Sequence, residues 1–540
     1  MDRPIVTISD GQLQGTTLKS VLGPNYYAFK GIPFAAPPLG SLRFKAPQPP
    51  EKWSGVRDAS NYVGDACMQM RDDRTRAVVG SEDCLYLSVL TKTLSPDRPV
   101  MVFIHGGSFV EGTTNRDVYR QDYLVTQDVV LVNINYRMGP FGFLSLGHEV
   151  ATSNVGLRDV IYSLRWVKNN VEAFGGDTNN ITIFGSSAGA LITHLLTLIP
   201  KAKGLFHKAI IQSGTCNNAR TLVSKFDIKN GFRIAALLGM HSDDPTKVIE
   251  FLRTMPAIKL VQCEDHILTQ EEAIQYGMRP YGPVIDVDYN SDPLIPGTFE
   301  ELKNNNADIP IMIGHTSDES LLVFVDKFND ETYKYHNDHI ESIIRNKLKD
   351  PTVFPELMKE VREFYLKNKP IDSENVWNLI RLTSDFSIHA DRQIIDYRVE
   401  SATAPTYVYM FSYMGDEPTI YQTDHGPQPL KGVAHADELS YLLYLAYFPI
   451  RKENPEKIYP KEGTLDRLVT ERMIRMWQNF AATGNPTPET DDKYITTVWK
   501  PASKEHLYYL EINKDLPLRD DRDSKSWPFY EKNRDYFKQL

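Results

Sequence analysis

The sequence predicts an α/β fold built on a large, mostly parallel central sheet. Short, near-continuous apolar runs recur through the N-terminal 320 residues, as at 100–104, 181–184 and 311–313. Runs of this length that are rich in β-branched residues are typical of strands buried on both faces. Helical patterns at 156–174 and 188–198 separate the runs and end at a Gly-Gly pair and before a proline. This alternation predicts a doubly wound sheet with helices on both faces.

Length and composition are those of a large globular protein. The chain has 540 residues, of which 41% are hydrophobic and 24% charged, close to the averages for folded domains. Such a length fits either three to four ordinary domains or one large α/β unit. The formal net charge of −10 repels the phosphate backbone of nucleic acids, so we expect no nucleic-acid partner.

One stretch, at about 326–378, is rich in Lys, Glu, Asp and Asn and predicts charged amphipathic helices. It could form a separate domain, but a strand-like segment resumes at 406–411. A helical pattern over 465–480 follows and stops at a Gly-Asn-Pro sequence. We therefore predict a single domain over 1–540 with an inserted helical subdomain.

The sequence favours a protein without a membrane anchor. The N-terminus has no basic segment followed by an apolar one, and the longest apolar stretch, 439–450, is shorter than the ~18 residues of a membrane span. The single N-glycosylation sequon, at Asn180, favours an intracellular protein. We expect a cytoplasmic monomer with no membrane span, and secretion after removal of a leader is the alternative.

Four cysteines are too few for a disulfide scaffold. Cys67 and Cys84 enclose a polar loop that a disulfide could close, with a stabilisation of roughly 3 kcal/mol. Alternatively, all four are reduced thiols that pack as small hydrophobic side chains. The sequence leaves both interpretations open.

The strongest functional signal is Gly-Ser-Ser-Ala-Gly at 185–189, between a predicted strand and an apolar helix. A G-x-S-x-G sequence at a strand-to-helix turn is a nucleophile elbow, in which the glycines let the backbone turn tightly and expose the serine hydroxyl. We therefore predict that Ser187 is a nucleophile.

A second signal follows the strand predicted at 99–104. His-Gly-Gly-Ser-Phe at 105–109 is a glycine-rich turn whose backbone N–H groups can stabilise a developing oxyanion, together with the N–H of Ala188. Alone, the motif could be a flexible turn. The presence of both motifs in one α/β pattern favours catalysis.

These motifs belong to a longer series that resembles the type-B carboxylesterase/cholinesterase family of the α/β-hydrolase fold along nearly the whole chain. The other matching stretches are FKGIPFA at 29–35, LRF at 42–44, SEDCLYL at 81–87, NYR at 135–137, FGGD at 174–177 and GVAHADEL at 432–439. Within the family, the chain is most similar to insect α- and β-type carboxylesterases. The resemblance implies a serine hydrolase of carboxylic esters that needs no cofactor.

The resemblance also implies the other two members of a catalytic triad, in the chain order Ser, acid, His. The family's acid follows a strand in a G-x-T-S-x-E pattern, which here reads GHTSDE at 314–319. Glu319 is the expected acid and the adjacent Asp318 is the alternative. His435, within GVAHADEL, is the expected base.

The chemistry then assigns a role to each residue. His435 takes the proton of Ser187 as the hydroxyl attacks the ester carbonyl, and Glu319 orients the imidazole and stabilises the imidazolium. Three backbone N–H groups are expected to hold the oxyanion, those of Gly107, Ser108 and Ala188. An acyl-enzyme forms, the alcohol leaves, and water repeats the attack.

Three positions depart from the family pattern. Ser108 stands where the family usually has glycine, and we expect its side chain to crowd the acyl group and to exclude a glycine-like φ. We therefore expect a bias toward small acyl groups, or toward a different approach angle of the substrate. Alternatively, the hydroxyl positions water for hydrolysis of bulky or phosphorylated acyl-enzymes. Ser186 replaces the usual Glu, His or Gln beside the nucleophile, and Val160 replaces a glutamine in a mainly structural region.

Other residues are interpreted as structural. His336 and His339 could mimic a metal-binding pair, but no third ligand pattern accompanies them, so we expect no metal. Cholinesterases bind a quaternary ammonium through Trp, and the segment 68–83 has none, so a choline ester is not expected. Two ion pairs typical of the family are expected to brace loops, Arg43 with Glu82 and Arg137 with Asp159.

The predicted function is hydrolysis of small carboxylic esters with broad specificity, including detoxification of xenobiotic or lipid-like esters, with organophosphates as inhibitors. The alternatives within the fold are a juvenile-hormone- or odorant-type esterase, or a lipase, which differ in their acyl and alcohol pockets. A non-catalytic, neuroligin-like adhesion protein is the alternative of a different class. The complete triad disfavours it.

Overall fold

An 11-stranded mixed sheet forms the centre of the protein, which we describe from a computed structural model. The structure describes residues 3–62, 66–70, 76–114, 119–217, 229–270, 272, 280–324, 327–345, 354–416, 419, 430–445, 460–488 and 492–537. The strands in these residues are β1 Ile5–Ile8, β2 Gly11–Gln14, β3 Thr16–Lys19, β4 Asn25–Pro33, β5 Val56–Asp58, β6 Gln69–Met70, β7 Val78–Val79, β8 Tyr86–Thr91, β9 Arg98–Ile104, β10 Val130–Ile134, β11 Gly176–Ser186, β12 Lys208–Gln212, β13 Ile311–Thr316, β14 Thr406–Phe411, β15 Tyr508–Ile512 and β16 Leu518–Asp520.

Helices connect and flank the strands. They are α1 Gly139–Phe143, α2 Val155–Asn170, α3 Ala188–Leu198, α4 Asn230–Leu237, α5 Pro245–Thr254, α6 Ala257–Gln262, α7 Glu264–Ile267, α8 Phe299–Leu302, α9 Asp330–Arg345, α10 Phe354–Phe364, α11 Val376–Ser401, α12 Leu439–Leu442, α13 Leu465–Thr483 and α14 Trp527–Phe537.

The central sheet is parallel in the middle and antiparallel at both ends. Its strands follow the order β16-β15-β14-β13-β12-β11-β9-β10-β8-β4-β3. The neighbours from β15 to β10 are parallel. Strand β16 and the β8-β4-β3 side are antiparallel. The predicted mostly parallel sheet is confirmed, and the antiparallel ends add to it.

Both faces of the sheet are covered, as β9 illustrates. On one face its Val100, Val102 and Ile104 belong to the core that contains α2 and α3. On the other face its Met101 and Phe103 belong to the core that contains α13. Alternate side chains of a strand point to opposite faces, so a strand buried on both must be apolar throughout. This confirms helices on both faces.

A third apolar core lies among four helices in the C-terminal part of the chain. It contains side chains from α9, α10, α11 and α14, and it includes Leu321 and Ala434. Helices α9 and α10 lie within the stretch predicted at 326–378, of which residue 326 and residues 346–353 lie outside the described part. The single-domain boundaries over 1–540 stay a prediction. Leu321 and Ala434 each lie within two residues of a predicted site residue, so this core supports the site.

The cysteines resolve the alternative that the sequence left open. Cys67 and Cys84 form a disulfide, whereas Cys216 and Cys263 are buried free thiols. The two expected ion pairs are also present, each with two side-chain contacts: Arg43 with Glu82 at 2.7 and 2.5 Å, and Arg137 with Asp159 at 2.7 and 2.6 Å.

The described residues also bear on the expectations about a membrane span and a metal. No helix there is long and apolar enough to cross a membrane; residues 446–450 of the longest apolar stretch lie outside them. Within the same residues, no group of three or more His, Cys, Asp or Glu side chains is placed to hold a metal ion. His339, one of the two histidines that could mimic a metal-binding pair, instead contacts the backbone. Its Nδ1 lies 2.8 Å from the carbonyl oxygen of Tyr335, one turn earlier on α9.

Candidate active site

Ser187 occupies a tight turn between β11 and α3. Its φ of 58° and ψ of −124° are strained for a residue with a side chain, as expected for a nucleophile elbow. The turn is fixed by its backbone: the N–H of Ser187 donates to the carbonyl of Gln212 at 2.9 Å, and its carbonyl accepts from Leu191 at 3.0 Å. Ser187 is partly exposed, whereas Ser186 and Ala188 on either side are buried. The turn therefore presents the Ser187 side chain at the surface of the site.

Close backbone packing explains the glycines around this turn. A Cβ on Gly189 would lie 2.0 Å from the carbonyl oxygen of Ile104, at the end of β9. A Cβ on Gly106 would lie 2.7 Å from the carbonyl oxygen of Ser186 and 3.0 Å from Cβ of Ser187. Glycine is required at both positions because the elbow and the turn after β9 are in direct contact.

The turn after β9 carries two of the predicted oxyanion donors. The carbonyl of Gly107 accepts hydrogen bonds from Val110 and Glu111, each at 3.0 Å, which fold the loop back on itself. The N–H groups of Gly107 and Ser108 take no part in the backbone hydrogen bonds of the described residues. Ala188 is the first residue of α3, where an N–H has no acceptor within the helix. All three N–H groups are therefore available for a ligand anion.

The backbone at Ser108 corrects one expectation. We expected serine to exclude a glycine-like φ at this position, and this is wrong, because the φ of Ser108 is 52°. A left-handed φ costs a residue with a Cβ about 1–2 kcal/mol. The two hydrogen bonds to the Gly107 carbonyl fix the loop, so the fold offsets that cost and the turn keeps the shape that glycine would give it.

Glu319 is buried and makes three hydrogen bonds. Its Oε1 accepts from the hydroxyl of Ser213 at 2.6 Å and from the N–H of Thr316 at 2.8 Å, while its Oε2 accepts from Nδ1 of His435. Burial raises the pKa of Glu319, but the charge of His435 and these hydrogen bonds outweigh burial and lower the pKa to about 2. The carboxyl group is therefore an anion throughout the neutral pH range.

His435 is partly exposed, with 22% of its side-chain surface accessible. Burial lowers its pKa, but the carboxylate of Glu319 outweighs burial and raises the pKa above the usual value. Because Nδ1 contacts Glu319, Nε2 is the nitrogen left for a substrate or a nucleophile.

Asp318, the alternative acid, has a different environment. Its Oδ2 accepts from the N–H of Val433 at 3.1 Å and from the hydroxyl of Ser317 at 2.8 Å. Asp318 therefore holds the chain two residues before His435, whereas Glu319 contacts the imidazole itself. The structure brings His435 together with Glu319 and not with Asp318.

The sheet explains why these distant residues share one edge. Ser187 follows β11, Ser213 follows β12 and Glu319 follows β13, three neighbouring parallel strands. The carboxyl ends of parallel strands meet at the same edge, which is where open α/β sheets bind ligands. Ser213 was not among the predicted site residues, although it comes just after the apolar run at 209–211, which has the same character as the runs at 181–184 and 311–313.

A buried carboxyl group near the imidazole was also missed. Glu438, three residues after His435, is fully buried, and its Oε1 accepts from Nε2 of Gln212 at 3.2 Å. Burial, and then the charge of Glu319, raise the pKa of Glu438 to about 7. Ser186 removes the charged or large polar group that the family usually has beside the nucleophile. The charge of Glu438 is among the causes that raise the pKa of His435, after the charge of Glu319.

Comparison with known proteins identifies the family. The model of the carboxylesterase family matches residues 2–529. Esterase E4 of Myzus persicae is 31% identical over 522 residues, which are 93% of this chain and 89% of that protein. Juvenile hormone esterase of Tribolium castaneum is 34% identical over 513 residues, 90% of this chain and 84% of that protein. The crystal structure of juvenile hormone esterase from Manduca sexta, with OTFP covalently attached, has a TM-score of 0.85 and 28% identity, and the match covers 99% of this chain and 100% of that one.

These matches run over nearly the whole chain and over most of each relative. They confirm the predicted α/β-hydrolase fold and the prediction of a carboxylic ester hydrolase, and insect esterases are among the relatives. The chain belongs to the carboxylesterase family.

Proposed function

We propose that the protein hydrolyses small carboxylic esters through an acyl-enzyme, with Ser187 as nucleophile, His435 as base and Glu319 as acid. The observation that carries the proposal is the buried contact between Glu319 and Nδ1 of His435, at the sheet edge that also holds the strained Ser187 turn. This contact fixes the imidazole tautomer and leaves Nε2 to accept a proton.

The proposed cycle needs no group beyond these residues and water. The Ser187 oxygen bonds to the ester carbonyl carbon while its proton passes to Nε2 of His435. The carbonyl oxygen becomes an oxyanion, which the N–H groups of Gly107, Ser108 and Ala188 stabilise. The intermediate collapses, and the alcohol leaves with the proton from His435. Water then attacks the acyl-enzyme with the same base, which releases the acid and restores Ser187.

Turnover of 1-naphthyl acetate tests the proposed function directly. We expect saturable hydrolysis with kcat/KM within the ordinary enzyme range of roughly 10⁴–10⁸ M⁻¹ s⁻¹. A screen of acyl-chain length and alcohol size then tests the proposed broad, detoxifying specificity. Activity on many unrelated esters supports it, and activity confined to one ester overturns it.

A juvenile-hormone-type esterase is the second candidate. It is favoured by the 34% identity to the Tribolium castaneum enzyme and the TM-score of 0.85 to the Manduca sexta one. The OTFP attached to the latter also supports covalent chemistry on this fold. Measurement of kcat/KM on juvenile hormone and on 1-naphthyl acetate distinguishes the candidates. A preference for the hormone of about 10²-fold or more, equivalent to about 3 kcal/mol, would favour the second.

Replacing Ser108 with glycine is expected to widen acyl tolerance. Ser108 lies on the turn after β9 at 105–112, which carries two of the proposed oxyanion donors and which we call the oxyanion turn. We expect the serine side chain to crowd the acyl group, while the N–H of residue 108 is unaffected by the change. In Ser108→Gly, kcat/KM for a hexanoyl ester should rise relative to that for an acetyl ester of the same alcohol. Identical acyl profiles in both proteins would show that Ser108 does not set specificity. Slower recovery of the variant from phosphorylation would instead favour the role in positioning water.

The pH dependence of kcat/KM is expected to follow the protonation of His435. A base must be neutral to accept the serine proton, so kcat/KM falls as the pH drops through the pKa of His435. Because Glu319 raises that pKa, Glu319→Gln should move the acid limb to lower pH. The charge of Glu438 also raises the pKa of His435, and Glu438→Gln separates its effect. Profiles from about pH 4 to about pH 9 check the prediction, and an acid limb that stays in place in Glu319→Gln contradicts it.

The disulfide favours the secreted alternative over the cytoplasmic one. Disulfides persist in oxidising compartments and are rare in the cytosol. The sequon does not argue against secretion, because the Asn180 amide is already engaged: its Nδ2 donates to the carbonyl of Ala482 at 3.2 Å, and its Oδ1 accepts from Lys208. We propose an extracellular monomer. Esterase activity in the culture medium of cells that express the protein tests the extracellular location. Light scattering of the purified protein tests the monomeric state.

A further inference from the structure

A buried glutamine joins the disulfide loop to the oxyanion turn. Gln69 is only 6% exposed. Its Oε1 accepts from the N–H of Gly112 at 2.8 Å, and its Nε2 donates to the carbonyl of the same residue at 3.0 Å. The side-chain amide therefore pairs with both backbone groups of Gly112, much as a neighbouring strand would. Nε2 also donates to the carbonyl of Cys67 at 2.8 Å.

Gly112 lies directly against the beginning of the oxyanion turn. A Cβ there would stand 2.4 Å from Nδ1 of His105 and 2.6 Å from the carbonyl oxygen of Gly106, and its φ is +121°. Only glycine can bring its backbone this close. Because the turn starts at His105 and closes at Gly112, the group that holds Gly112 fixes the path between them, which includes the N–H groups of Gly107 and Ser108.

The other end of this connection is cross-linked. Gln69 lies on β6, which pairs antiparallel with β7, and its partner there is Val79. The disulfide from Cys67 to Cys84 links the residues just before β6 to those just before β8 of the central sheet. The strand pairing and the disulfide therefore hold Gln69 in position against the oxyanion turn.

We propose that Gln69 is a positioning residue for ester hydrolysis, which holds the oxyanion turn in its reactive shape through the paired hydrogen bonds to Gly112. The proposal rests on the proposed function, because it assigns the turn the role of stabilising the oxyanion. The side chain must carry one donor and one acceptor at this reach, which among the amino acids points to glutamine. Glutamate lacks the donor, leucine lacks both groups, and asparagine is one methylene shorter.

A positioning role differs in its kinetics from a merely structural one. The oxyanion exists only in the transition state and in the tetrahedral intermediates, so a displaced donor lowers kcat and leaves KM nearly unchanged. A trifluoromethyl ketone that adds to the serine also forms an oxyanion. Its affinity should therefore fall together with kcat. Loss of stability alone would change neither quantity in the molecules that remain folded.

The test compares Gln69→Leu and Gln69→Glu with the wild-type protein. We expect kcat on 1-naphthyl acetate to fall by about 10- to 10²-fold, since displacement by about 1 Å costs on the order of 10²-fold, with KM within about twofold. The affinity for a trifluoromethyl ketone should fall by the same factor. Gln121→Leu is the matched control: Gln121 is also buried, and its amide donates to Asn133 at 2.9 Å. It should lose thermal stability without the selective loss of ketone affinity.

An unchanged kcat and ketone affinity in folded Gln69→Leu would overturn the proposal, as would an equal loss in Gln121→Leu. If Gln69→Leu does not fold, Gln69→Asn, which keeps the amide but cannot reach both groups of Gly112, supplies the same comparison. Failure of the proposed function is seen separately. In that case the wild-type protein does not turn over the ester, or Ser187→Ala keeps its activity.

Discussion

Replacing Ser187 with alanine is expected to lower kcat by about 10⁶-fold, the size of the loss when the nucleophile of a serine hydrolase triad is removed. The change deletes only the attacking hydroxyl, because alanine can keep the backbone that the elbow imposes, with its N–H on Gln212 and its carbonyl on Leu191. Hydrolysis of 1-naphthyl acetate measures the loss. Intact-mass analysis after treatment with a dialkyl fluorophosphate should show one dialkylphosphoryl group on the wild-type protein, formed as the serine oxygen displaces fluoride, and none on the variant.

The neighbouring serine is the matched control. Ser186 is buried, and its hydroxyl has no hydrogen-bond partner among the described residues. Ser186→Ala removes a serine hydroxyl from the neighbouring position of the same elbow and keeps Ser187. This variant should therefore take up one phosphoryl group per chain. A phosphoryl adduct on Ser187→Ala would contradict the assignment of the nucleophile.

The second large effect is expected from Glu319→Gln. The amide is neutral and can favour the wrong tautomer of the imidazole, an exchange that costs about 10⁴-fold in kcat in a comparable triad. Asp318→Asn is the adjacent control, because an asparagine oxygen can still accept from the N–H of Val433. We expect that variant to lose no more than a few-fold in kcat, since a neutral hydrogen bond contributes about 1 kcal/mol.

Steady-state kinetics of both variants on one ester check this pair of expectations. A large loss in Asp318→Asn together with a small one in Glu319→Gln would move the acid to position 318. Equal small losses of kcat in both variants would show that neither carboxylate contributes to catalysis and that His435 acts without an acid partner.

Most of the parallel centre of the fold, from β10 to β14, was predictable because these strands contain apolar runs that are buried on both faces. The run at 100–104 lies within β9, and the pattern over 465–480 lies within α13, which ends at Gly484 with a φ of 78°. The strands at the two ends of the central sheet were not predicted. Strand β16 has three residues and strand β3 has four, too few for a period to appear.

Helix α11 was missed for a different reason. It runs for 26 residues, yet it buries polar side chains such as His389, Asp391 and Arg392 along with its apolar ones. Burial of polar residues hides the amphipathic pattern on which a sequence-based prediction depends. The partners that make this burial possible are far along the chain; Arg392, for example, pairs with Asp521.

The candidate site was likewise only partly predictable from the sequence. Motifs predict Ser187, His435 and, up to one position, the acid as catalytic residues, because the chemistry needs particular residues in a particular local turn. They do not identify Ser213 or Gln69. Ser213 contacts Glu319 across 106 residues of sequence, and Gln69 contacts Gly112 across 43. Such contacts depend on which strands and loops lie next to each other in the fold, and a local sequence pattern does not show which ones do.

The most direct test of the central claim is to identify the acylated residue. A 4-nitrophenyl carbamate transfers its carbamoyl group to a nucleophile and leaves an adduct that hydrolyses slowly. The account predicts release of one 4-nitrophenol per chain and a single carbamoyl group on the peptide that contains Ser187. A carbamoyl group on any other residue, or continued release of 4-nitrophenol with no adduct, would contradict it.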